Sequence, residues 1–139
     1  MWDKLFKSAD LLQKGLSATW TRNAVIRNNI ANVETPGFKS SEVVFESLIS
    51  DAIREEQDGF VGRRTRERHI EIGSHRTSIE DVEARIVKVR GTSMRMDENN
   101  VDIEAENANL AQNSIQYNTL LLKLNSELNK IKLAVTEGK

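Results

Sequence analysis

Cysteine is absent from the 139 residues. That excludes a disulfide framework, a thiolate metal site and a cysteine nucleophile. Proline occurs once, at Pro36, and aromatic residues make up 5% of the chain, so no large aromatic core can form. Hydrophobic residues are 38% and mean hydropathy is −0.51, which leaves little apolar surface to bury. The two histidines, His69 and His75, are too few for a histidine-rich metal centre. Neither sign of charge prevails: 20 Lys and Arg against 21 Asp and Glu give a net charge of −1. That balance argues against non-specific binding to nucleic acid or to an anionic membrane. There is no apolar run of the ~18 residues that a membrane span requires. The opening Met1-Trp2-Asp3-Lys4-Leu5-Phe6-Lys7 carries charge at once and has no apolar stretch behind it, so no cleaved signal peptide is expected.

Two apolar ends flank a charged middle. Residues 1–50 hold 22 apolar side chains, residues 51–100 only 14, and residues 101–139 hold 17. The first segment, 1–35, reads as one long helix. Leu5, Ala9, Leu12, Leu16, Thr19, Asn23, Ile26, Ile30 and Val33 follow in alternating steps of four and three, the seam of a heptad. Thr35-Pro36-Gly37 should stop it, because proline disfavours helix in the residue before it and lacks a donor. Pro36-Gly37 suits the centre of a type II turn. Over 36–58 a short helix is expected, with Phe45, Leu48, Ile49, Ala52 and Ile53 on one face.

The last segment, 101–139, is the most regular. Ile103, Asn107, Leu110, Ser114, Tyr117, Leu121, Leu124, Leu128, Ile131 and Val135 repeat the four–three steps. Asp102 is placed to cap this helix, with Glu104 and Glu106 at the positive end of its dipole. The expected fold is therefore mainly α. Two long terminal helices pair as a coiled-coil-like hairpin, with a short third helix and a loop-rich middle, and the ends of the hairpin are expected to be disordered in the free monomer. Each long helix exceeds the width of a compact chain of this length, so part of each seam is left for another chain.

The middle, 59–100, offers little chemistry. His69-Ile70-Glu71-Ile72 and Arg85 to Arg90 are short β-type runs, which either form a small hairpin or stay loose until a partner pairs with them. Arg63-Arg64-Thr65-Arg66-Glu67-Arg68 is basic, but acidic residues precede it, and a solvated loop accounts for it better than nucleic-acid binding. His69 and His75 lack neighbours to hold a metal or an acid–base pair rigidly. Gly59-Phe60-Val61-Gly62 lacks the Gly-Lys-Ser/Thr of a phosphate loop. No catalytic residue, cofactor site or metal site is expected. What stands out is asparagine. Asn28, Asn29 and Asn32 crowd the end of a helix, although asparagine weakens helices by competing for backbone partners. A helix cap explains Asn32 but not the other two, and their amides can bridge neighbouring backbones.

The stretch Asn28-Asn29-Ile30-Ala31-Asn32-Val33-Glu34-Thr35-Pro36-Gly37-Phe38 resembles the N-terminal signature of the axial proteins of the bacterial flagellum, the rod and hook proteins and their relatives. That signature runs Asn-Asn-Ile-Ala-Asn-x-x-Thr-Pro-Gly-Phe, and Glu34 stands where the family often has Asn or Ser. Met96 to Glu104, with Asn99, Asn100, Val101 and Asp102 at its centre, resembles the segment that opens the C-terminal helix in short, proximal rod members of the family. Together the resembling parts cover about the first 55 and last 45 residues. The resemblance implies export through the flagellar type III apparatus without a cleaved signal, then helical stacking into the rod, the drive shaft that crosses the periplasm. It implies as partners further copies and other rod proteins, a small rod-adaptor protein, the membrane-supramembrane ring and the export gate, with no nucleic acid. The residues by themselves also suit a different class, a cytoplasmic coiled-coil adaptor or export chaperone.

Overall fold

The computed structural model describes residues 2–58, 79–90 and 95–136. Their elements run α1 (Trp2–Ala31), β1 (Ser41–Val44), α2 (Glu46–Asp58), a 3₁₀ turn (Ile79–Asp81), β2 (Arg85–Lys88) and α3 (Ile103–Thr136). The fold is mainly α, with long helices at both ends and a short one between, as the periodicity predicts. It divides into two units, residues Met1–Val44 with Ala84–Lys139, and Phe45–Glu83.

In the first unit α1 and α3 pack antiparallel. Asn29 of α1 meets Glu106 of α3, Arg22 meets Gln116, and Thr19 meets Asn113. Asp102 caps α3 as expected, its Oδ1 accepting from Glu104 N–H at 2.9 Å and Ala105 N–H at 3.2 Å. At 1.5 Å per residue the 34 residues of α3 span about 50 Å.

α1 ends four residues before the expected Thr35 stop. Asn32 N–H is shared between the carbonyls of Asn28 and Asn29, Val33 N–H reaches Ile30 at 3.3 Å, and Thr35 N–H reaches Asn32 at 3.0 Å. Bonds to the third residue back replace bonds to the fourth, so the last turns tighten into a non-helical coil. The type II turn is present: Phe38 N–H bonds Thr35 O at 3.3 Å, and Gly37 has φ +72°.

β1 and β2 form an antiparallel pair, Ser41 opposite Lys88 through Val44 opposite Arg85. The Arg85 run thus pairs with a strand more than 40 residues upstream, a pairing that local sequence does not suggest. The other β-type run, residues 69–72, lies outside the described residues, as do the Arg63–Arg68 cluster, Gly59–Gly62 and His75. The apolar core of the first unit is small: Ala18, Val25, Ile26, Val43 and Val101 are buried. In the second unit Phe45, Ala52 and Val82 are buried, and Leu48, Ile49 and Ile53 lie half-buried on the expected face of α2.

Candidate functional site: an asparagine clamp between two signature segments

The two asparagine-rich segments meet within one chain. Asn29, on the last turns of α1, is almost wholly buried. Its carboxamide closes on the backbone of Ser41, accepting from Ser41 N–H at 3.0 Å and donating to Ser41 O at 2.8 Å. The same amide donates to Glu106 Oε1 at 2.9 Å, so one side chain ties α1 to β1 and to α3. A carboxamide carries the donor and acceptor of a peptide group in one plane. Asn29 therefore stands in for a neighbouring strand along the edge of β1.

Asn99, fully buried, performs the corresponding service for the end of α1. Its Nδ2 donates to the carbonyls of Asn32, Val33 and Thr35 at 2.9, 3.0 and 2.9 Å, and its Oδ1 accepts from Val101 N–H at 2.8 Å. Those carbonyls belong to the tightened turn after α1, where helical partners have run out. Asn100 fills a third gap. Its Oδ1 accepts from Ser40 N–H at 2.7 Å and its Nδ2 donates to Val89 O at 3.1 Å, so it spans the end of the β1–β2 ladder. Gly37 N–H donates to Asp97 O at 2.7 Å, and Lys39 Nζ donates to Glu98 O. Arg95 bonds Val33 O at 3.2 Å and pairs with Asp97 at 2.9 Å.

The remaining signature residues are arranged around this clamp. Asn32 bonds back to Asn28 O through Nδ2 at 2.8 Å, and Thr35 Oγ1 donates to Asn32 Oδ1 at 3.3 Å. Asn28, Thr35, Pro36 and Gly37 are exposed, Phe38 is half-buried, and Val101 is buried under the clamp. Beside it, a polar cleft of about 320 Å³ opens between β1 and α3, lined by Arg22, Glu106, Asn109 and Gln112 among others. Among the described residues no three of His, Asp and Glu converge as a metal site. The chemistry of the clamp is that of hydrogen bonds between backbones distant in sequence.

Comparison with known proteins locates the same region. The family pattern described as "Flagella basal body rod protein" matches residues 11–39, which span most of α1 and the turn that Asn99 caps. The chain is 34% identical to the flagellar basal body rod protein FlgB of Bacillus subtilis (strain 168), with 92% of each chain covered. It is 31% identical to FlgB of Borreliella burgdorferi over 82% of this chain and 84% of that one. It is 29% identical to FlgB of Proteus mirabilis (strain HI4320) over 99% of this chain. The chain belongs to the FlgB family of flagellar basal body rod proteins.

In this FlgB family member the seam residues separate into two groups. The α3 row facing α1 contains Leu110, Asn113, Tyr117, Leu120, Leu124, Glu127 and Ile131, all buried or half-buried. Leu121 and Leu128 are 39% and 49% exposed in the single chain. On α1, Leu12, Leu16, Ile26 and Ile30 are buried or half-buried, together with Gly15, Ala18, Arg22 and Asn29, while the side chain of Leu5 falls outside the described residues. Sequence reasoning did not find Ser40, Ser41 or Arg95 as clamp residues, and placed Glu106 only against the helix dipole. Three of these four contribute through a backbone group or a long-range carbonyl bond, which leaves no mark in local composition.

Proposed function

We propose that this structural subunit of the bacterial flagellar basal-body rod assembles helically through its two terminal helices, as a proximal part of the drive shaft through the periplasm. Its neighbours are further copies and other rod proteins, with the rod-adaptor protein, the membrane-supramembrane ring and the type III export gate at its base. Membership of the FlgB family supports a structural role in the rod and disfavours the adaptor or chaperone reading.

The observation that carries the assembly reading is the outer side of the helix pair. Ile115, Leu122 and Leu133 recur half a turn round α3 from the row that meets α1, and all three are exposed. Phe6 and Trp20 are exposed on the corresponding side of α1. Apolar rows on both outer sides of an antiparallel pair suit burial against neighbouring subunits. Leu121 and Leu128 lie between the inner and outer rows and widen the surface. The exposed amide of Asn28 is the member of the signature that reaches neighbouring chains, whereas Asn29 and Asn32 act within the subunit.

The test compares the two rows. Leu122→Asp leaves a solvent-exposed position exposed, so the monomer keeps its helix content, yet rods fail to assemble and cells lose motility. Leu124→Asp, on the inner row, destabilises the monomer itself by several kcal/mol, as burial of an unpaired charge does (on the order of 3). Normal rods in cells carrying Leu122→Asp would contradict assembly through this face.

A further inference from the structure

The two edges of the small sheet are treated differently. Val89 N–H donates to Ser40 O at 2.9 Å, continuing the ladder that pairs Ser41 with Lys88 and Val44 with Arg85. Residues of an antiparallel strand alternate between bonding the neighbour strand and pointing away from it. Arg85, Val87 and Val89 thus bond toward β1, and the N–H and C=O groups of Ile86 and Lys88 point out of the sheet. On β1 the outward groups are those of Ser41 and Val43. Three of these four are covered: Asn29 takes both groups of Ser41, and Arg22 reaches Val43 O at 3.4 Å. No described residue bonds the outward groups of Ile86 and Lys88.

β2 is exposed along its whole length, including Ile86 at 58% and Val87 at 45%. Those two side chains lie on opposite faces of the strand. Arg85 and Lys88 flank them, and Arg90 follows. An open edge with apolar side chains is an association site that proteins ordinarily cover. Among the described residues, one edge is covered by two side chains and the other is left open.

We propose that the outer edge of β2 is a strand-addition site for an acidic, β-branched extended segment of another polypeptide. Backbone bonds to Ile86 and Lys88 hold the added strand, and Ile86 and Val87 each give it an apolar contact. The charges choose the occupant. A second copy of β2 would bring Arg85, Lys88 and Arg90 of both strands together along one short ladder, where like charges repel, whereas carboxylates opposite Arg85 and Lys88 are favoured. The inference concerns the sheet and stands apart from assembly through the helices.

The test uses the full chain labelled with ¹⁵N and two capped peptides, Thr-Glu-Val-Val-Glu-Thr and Thr-Lys-Val-Val-Lys-Thr, whose charges are three positions apart like Arg85 and Lys88. The acidic peptide is expected to slow exchange of the Ile86 and Lys88 amide protons by about tenfold or more, with Val87 and Val89 unchanged because they already bond β1. The basic peptide is expected to do neither. Ile86→Pro removes an outward donor but no ladder donor, and an edge strand tolerates proline where its N–H faces solvent. In that variant Lys88 should lose the peptide-induced protection while Val89 keeps its own. Should Val89 also lose protection, the sheet itself has opened, and the charge reversal Arg85→Glu with Lys88→Glu decides: it should transfer the preference to the basic peptide. Protection by neither peptide, equal protection by both, or an unchanged preference after charge reversal would overturn the proposal.

Discussion

Asn29, Asn99 and Asn100 each place a carboxamide where the backbone runs out of partners. Asn99 is the most exposed to test because it is fully buried and serves three carbonyls and one N–H. Each carbonyl keeps one other donor, from Thr35 N–H, Arg95 or Phe38 N–H, but loses the one Asn99 supplies, and Val101 N–H loses its acceptor, so Asn99→Ala should cost about 1–3 kcal/mol of unfolding free energy. Asn99→Asp keeps the shape and the acceptor but turns a carboxylate oxygen toward three carbonyls, and should cost more than alanine. Urea unfolding of both variants checks the order; an aspartate less harmful than alanine would show that shape, not donation, matters there. Gly37 poses a purely conformational question, since nothing lies within 4 Å of a Cβ built on it and its φ is +72°. Gly37→Asn should cost a few tenths of a kcal/mol, Gly37→Ala about 1 and Gly37→Val about 2, following each residue's tolerance of the left-handed region. Equal costs for all three would contradict the turn. At this scale the sequence announced that Asn28, Asn29 and Asn32 weaken a helix end for some purpose, and the Pro36-Gly37 turn was legible from its residues alone. That Asn99 serves the first signature and Asn100 the residue that leads into β1 was not legible, because a side chain bonding a backbone group 60 to 67 residues away leaves no periodicity to read.

The helices show where periodicity succeeds and where it slips. Steps of four and three placed both long helices within a few residues of their ends and identified Leu110, Tyr117, Leu124 and Ile131 as inward-facing. The alternate positions of the inner row are Glu106, Asn113, Leu120 and Glu127, one residue before the Asn107, Ser114, Leu121 and Leu128 that hydrophobicity selects. An inner row that contains amides and carboxylates is invisible to an apolar template. Glu127 shows how such a position is made tolerable. Lys130 bonds its Oε1 at 3.0 Å and Lys123 approaches to 3.4 Å. The hydrogen bond from Lys130 holds the carboxyl below its ordinary value of 4.5, with Lys123 adding to the effect and burial opposing it. Because the native value is depressed, the stabilisation is fully present above the ordinary value and is lost as pH falls through the lowered one. Glu127→Gln should therefore flatten the pH dependence of unfolding below about pH 4.5 and leave it unchanged near neutrality. A steeper acid dependence in the variant, read from urea midpoints across that range, would contradict this.

On the scale of the whole subunit, the first unit carries the clamp at one end of its helix pair. On α1 none of the described residues before Gly15 is buried, and on α3 none after Glu127. The described part of the hairpin is thus most fully buried toward the clamp end of α1. The subunit and its rod role were legible through the resemblance of two short segments; the outward apolar rows were not, since a helix pair shows its free face only once its bound face is known. The central claim is that the two signature segments close on each other within one chain, before any neighbour is met. Scalar couplings across hydrogen bonds in the purified, isotope-labelled monomer test it directly. The account predicts couplings from Gly37 N to the Asp97 carbonyl, from Ser40 N to the Asn100 carboxamide, and from the Asn99 side-chain amide to the Asn32 and Thr35 carbonyls. If those three amides show no coupling and exchange with solvent as freely as in an unstructured chain, the clamp does not exist in the subunit and the account is wrong.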